Sequence, residues 1–84
     1  MNEIDKKKVL WHSRRGMLEL DLLLVPFATS RFATLSPELQ QLFMDLLRCE
    51  DQDIFAWLLL RDKPADFRFE QIISLILETA ARPN

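Results

Sequence analysis

Apolar positions along this chain recur with a helical period, with almost no strand-like alternation. The clearest run is Leu39, Leu42, Phe43, Leu46 and Leu47, which follows the i, i+3, i+4, i+7, i+8 rule without a miss. It stands behind Leu35-Ser36-Pro37-Glu38. Serine at the N-cap, proline at the first helical position and then an acid make a strong helix start, and the pattern predicts a helix ending near Arg48. Phe69, Ile72, Ile73, Ile76, Leu77 and Ala80 form a second clean stripe, with Asp66 as its cap. Between the two lies a shorter predicted helix holding Ile54, Phe55, Trp57, Leu58 and Leu59. Asp51 or Glu50 can cap it, and Asp62-Lys63-Pro64 stops it.

The first third of the chain is less regular. Glu3 to Arg15 reads as a marginal amphipathic helix, with Ile4, Val9, Leu10 and Trp11 set among lysines. Gly16 ends it, because glycine tolerates positive φ and the two arginines suit the negative end of a helix dipole. A second helix begins at about Met17. Leu18, Leu20, Leu22, Leu23, Leu24, Val25 and Phe27 are apolar on nearly every side, which predicts a central, mostly buried helix. Pro26 removes a hydrogen bond to the Leu22 carbonyl, so a kink is expected there, with helix continuing towards Phe32. All connections are short, which favours antiparallel neighbours. The fold class expected is all-α: one compact five-helix bundle spanning residues 1–84 as a single domain.

Composition narrows the function more than it names it. Eighty-four residues with 49% hydrophobic content support one small core. The net charge of −2 gives no global basic field. Lys6, Lys7, Lys8, Arg14 and Arg15 load the start of the chain, but with an acidic total they read as a solvated helix face, not a nucleic-acid patch. One cysteine, Cys49, excludes an intramolecular disulfide and fits a reducing compartment. The lysines near the start are followed by no apolar h-region. The longest uncharged apolar run, Leu22 to Ala28, is far shorter than the roughly 20 residues that span a bilayer. A cytoplasmic protein without membrane insertion is expected.

Most site chemistry is missing. His12 and Cys49 are too few ligands for a structural zinc. CEDQDIFAW places acids at two calcium-loop positions but has Ala56 where such a loop needs glycine. A single glycine allows no phosphate-binding loop or dinucleotide fingerprint. His12 and Ser13 are adjacent, and adjacent residues of a helix do not face each other. No catalysis and no metal are expected.

The stretch RRGMLELD, residues 14–21, holds that glycine. Gly16 as a helix stop, with arginines before it and Glu19 in the next first turn, explains part of the pattern. It does not explain why charges crowd both sides of the glycine. A residue without a Cβ lets another backbone approach closely, and charged groups around it supply charge-assisted hydrogen bonds. Those are the ingredients of a protein-docking site.

Arg15-Gly16-x-x-Glu19 resembles the RGxxE signature of the SdhE family of FAD assembly factors, also called YgfY or CptB. The resemblance extends through WHSRRGMLELD, LSPELQQLFMDLLRCEDQDIFAWLL and the KPAD turn at residues 63–66, and so covers nearly the whole chain in order. It implies a five-helix bundle that acts as a flavinylation chaperone. Such a factor binds the flavoprotein subunit of succinate dehydrogenase, and often of fumarate reductase, and promotes covalent attachment of FAD to a client histidine. It implies no cofactor in the factor itself, since the FAD belongs to the client. Carried over by residue, Arg15, Gly16 and Glu19 are the client contact, with Gly16 against client backbone and Arg15 and Glu19 in polar contacts or orienting each other. Arg14, Trp11, Met17 and Asp21 are their neighbours, although core packing explains Trp11 and Met17 equally well. Asp51 and Trp57 fit the family's second block, where capping and core packing suffice. Members of the family have also been labelled antitoxins of a small membrane toxin, which makes an antitoxin-type regulator the alternative function.

Overall fold

A computed structural model describes residues 3–82, with side chains from Lys7 onward. The expectations for Ile4 and Lys6 lie outside those side chains. Five helices follow one another: α1 (Glu3–Ser13), α2 (Leu18–Ser30), α3 (Pro37–Leu47), α4 (Asp51–Leu58) and α5 (Arg68–Ala81). A 3-10 turn, Phe32–Thr34, joins α2 to α3. The described residues contain no strand. The five-helix, all-α expectation is met.

The two regular stripes behave as their spacing predicts. Phe43, Leu46 and Leu47 of α3 are buried, as are Phe69, Ile72, Ile73 and Ile76 of α5. Burial of each such side chain contributes about 1.5–3 kcal/mol. Phe43 sits between Phe27 of α2 and Phe32 of the 3-10 turn, with ring centroids 5.0 and 5.7 Å away in tilted pairs, a favoured aromatic geometry. Trp57 stacks on Phe69 at 5.7 Å and joins α4 to α5. α2 packs against α1, α4 and α5, and α3 packs against α1 and α5.

Helix ends differ from expectation in instructive ways. Ser36 caps α3 as expected, its Oγ accepting the Leu39 N–H at 3.3 Å. The Asp66 carboxylate accepts the Arg68 N–H at 3.0 Å and so caps the first turn of α5. At α4 the N-cap is Glu50, and its side chain makes no capping bond. Its neighbour Asp51 is drawn elsewhere, to Arg15. α1 stops at Ser13, whose buried hydroxyl donates to the Val9 carbonyl at 2.8 Å. Both arginines therefore lie beyond the helix, not in its last turn. α4 stops at Leu58, ahead of the Asp62-Lys63-Pro64 signal, and the chain turns through Arg61 in the left-handed region, at φ +61.

α2 corrects the largest expectation. It runs through Pro26 to Ser30, but it is not mostly buried. Leu20, Leu24 and Phe27 face the core, while Leu18 and Leu22 are 68% and 64% exposed. So small a chain has too few elements to surround one helix. α1, α4 and α5 cover one side of α2 and leave an apolar stripe in solvent.

Candidate functional site

The corner between α1 and α2 is built around Arg15. Its Nε donates to Asp51 Oδ1 at 2.7 Å. Nη1 donates to the carbonyls of His12 and Leu47, both at 2.8 Å, and Nη2 to the Cys49 carbonyl at 3.0 Å. The side chain is only 14% exposed. His12 and Leu47 are in the last turns of α1 and α3. Carbonyls there lack partners within their own helices and stand at the negative ends of the dipoles. One guanidinium thus serves two helix ends and the carboxylate that begins α4. The planar fork of arginine spreads its donors over three nitrogens and so spans these four partners; a lysine ammonium holds its three donors on one nitrogen and cannot reach them all.

The backbone of the corner is held as well. Asp21, in the first turn of α2, reaches back so that its Oδ1 accepts the Arg15 N–H at 2.7 Å. Next along the chain, Gly16 takes φ +79. It is exposed, and a Cβ placed there would meet no atom of this chain within 4 Å. Met17 turns inward and packs against the core. Glu19 is exposed and makes no side-chain hydrogen bond or ion pair among the described residues.

The motif residues therefore separate. Arg15 points into the protein, whereas Gly16 and Glu19 face out, and no bond joins Arg15 to Glu19. Arg14 is exposed without an ion pair among the described residues, and Trp11 is 75% exposed. The open choice between core and surface thus resolves differently for the two apolar neighbours: Met17 is partly buried against the core, Trp11 is surface. Asp51 is the residue that sequence reasoning undervalued. It lies 36 positions from Arg15, and no local spacing signals the pairing.

Other chemistry at the corner is quiet. Burial, and then the neighbouring Asp53 charge, push the half-buried Cys49 thiol up from its ordinary value. Such a thiol is a poor nucleophile at neutral pH. Among the described residues no group of three or more His, Cys, Asp or Glu is placed to hold a metal.

Residues 7–80 match the family model described as flavinator of succinate dehydrogenase. The chain belongs to this family. Among individual proteins it is similar to the FAD assembly factor SdhE of Pseudomonas aeruginosa, with 47% identity over 77 residues that cover 92% of each chain. The SdhE of Pseudomonas putida is 41% identical over 78 residues, 93% of both chains. That of Mannheimia succiniciproducens is 41% identical over 78 residues, 93% of this chain and 91% of the relative. The flavinator family is thus matched along α1 to α5, the Arg15 corner included. No helix among the described residues is long and apolar enough to cross a membrane.

Proposed function

We infer that this protein is an FAD assembly factor: it binds the flavoprotein subunit of succinate dehydrogenase and promotes covalent attachment of FAD to that subunit. The observation that carries this reading is membership of the flavinator family over residues 7–80. The antitoxin alternative gains no support from the relatives, which are FAD assembly factors. A fumarate reductase flavoprotein is the second client proposed, and the cytoplasm is the proposed compartment.

The factor is proposed to act without catalysis of its own. The linkage forms inside the client, between its own histidine and its own FAD. A partner that binds the competent client conformer more tightly raises that conformer's population, so the histidine and flavin meet in reactive geometry more often. Binding of this kind requires a surface already in shape before the client arrives. Arg15 provides the shape by fixing three helix ends around the corner. Gly16 and Glu19 provide the surface: client backbone passes over the glycine, and the carboxylate accepts client donors. Arg14, Trp11 and Asp21 flank the contact, and Met17 anchors the loop from beneath.

The test uses cells lacking their own assembly factor. The succinate dehydrogenase flavoprotein is expressed with this protein, with its Gly16→Arg variant, or alone. Covalently held flavin then fluoresces under ultraviolet light in a denaturing gel. Fluorescence with the wild type only is expected. Equal fluorescence in all three lanes refutes the reading for that client.

A further inference from the structure

Among the described residues six large apolar side chains are exposed, and four of them bracket Gly16: Leu10, Trp11, Leu18 and Leu22. Leu18, Leu22 and Pro26 follow a four-residue spacing, so they form one stripe along the outer face of α2. Scattered exposed leucines need no explanation; an apolar stripe beside a conformationally fixed corner does. The stripe borders a groove of about 320 Å³ lined by Arg14, Asp21, Leu22, Val25 and Pro26. Arg14 also borders a second hollow of about 270 Å³, lined besides by Lys7, Leu10 and Trp11. A cation therefore divides two apolar hollows.

We propose that the outer face of α2, together with Trp11, is a docking ledge for an apolar helical segment of the client flavoprotein that brings a carboxylate to Arg14. The proposal rests on the assembly-factor reading and extends it beyond the glycine corner. Three observations select this occupant. The stripe from Leu18 to Pro26 runs for about two helical turns, long enough to meet successive anchors of a partner helix. Arg14 and Lys7 are exposed with no ion pair among the described residues and together line the hollow at Trp11, so a client carboxylate is favoured on that side, away from Asp21 in the neighbouring groove. Finally, the ledge is continuous with Gly16, where the chain leaves room for foreign backbone.

A photocrosslinking amino acid placed at Leu22 of the full chain, and as a control at Phe67, which lines a separate groove with Glu38, Leu42 and Asp45, tests this during co-expression with the flavoprotein. The Leu22 probe is expected to capture the flavoprotein and the Phe67 probe is not. In parallel, Leu22→Asp and Arg14→Glu should each weaken binding roughly tenfold or more, the scale of a hot-spot change. Each should shift the melting temperature by no more than a few degrees, because both side chains are largely exposed. Chain-dependent covalent flavin without a Leu22 crosslink overturns the ledge and leaves the assembly-factor reading standing. So does unchanged affinity in both variants. Capture of a second copy of this chain at Leu22 also overturns it. Covalent flavin that forms equally without the chain removes the reading itself, and the ledge with it.

Discussion

Two corners of this molecule pass through the left-handed region of backbone space, and they use opposite residues to do it. The α1–α2 corner has Gly16 at φ +79; the α4–α5 turn has Arg61 at φ +61. A side-chain-bearing residue in that region costs about 1–2 kcal/mol. The chain carries that cost at Arg61, so backbone conformation alone does not require the only glycine to stand at position 16. Nor does internal packing, since nothing of this chain lies within 4 Å of a Cβ there. What remains is the outside: an absent side chain matters where another molecule's backbone comes close. The corners also differ in rigidity. The first is held by four guanidinium bonds and the Asp21 carboxylate. The second relies on backbone bonds, Asp62 N–H to the Ala56 carbonyl at 3.0 Å among them, and on an exposed Asp66–Arg68 pair. Stiffness is concentrated where docking is proposed.

Breaking the first corner should have the largest effect. Arg15→Ala removes four bonds and strands the Asp51 carboxylate and two helix-end carbonyls. A loss of about 2–4 kcal/mol is expected by denaturant titration, because charge-assisted bonds in partly buried sites are each costly to delete. Arg15→Lys should recover less than half of it. If Arg15→Ala melts like the wild type and yet fails to attach flavin, Arg15 touches the client directly and the contrast in rigidity fails.

The next test separates conformation from clearance at Gly16. Asparagine tolerates the left-handed region better than other side chains. Gly16→Asn should therefore change stability by no more than about 1 kcal/mol while client affinity falls roughly tenfold. Unchanged affinity would show that glycine serves only the turn. The converse change, Arg61→Gly, relieves strain but loosens the unfolded chain, so it should alter stability by less than about 1 kcal/mol and leave flavin attachment untouched.

The smallest expected effect is on the pH dependence of the second corner. The Arg68 side-chain bond, followed by the Arg68 backbone N–H, holds the Asp66 carboxyl below its ordinary value. A carboxylate lowered in the folded state adds stability above its unfolded pKa and loses it as pH falls through the folded value. Asp66→Asn should therefore flatten the stability curve slightly below about pH 4. An unchanged acid limb would mean that the pair adds nothing beyond the capping bond.

Local pattern by itself determined most of the fold. Helical periodicity in α3 and α5, the Ser36-Pro37 start and the Asp66 cap all depend on neighbours within one turn, so spacing along the chain suffices to read them. The resemblance at Arg15-Gly16-x-x-Glu19 likewise pointed to the right family. What spacing could not convey was direction. Leu18 and Leu20 are equally apolar, but only the packing of α1, α4 and α5 decides that Leu20 is core and Leu18 is surface. Arg15 and Glu19 look alike as motif letters, but the ends of α3 and α4 claim the arginine, while the glutamate has no side-chain bond among the described residues. That assignment depends on carbonyls and a carboxylate more than 30 positions away. Such groups become neighbours only when tertiary packing brings the helix ends together.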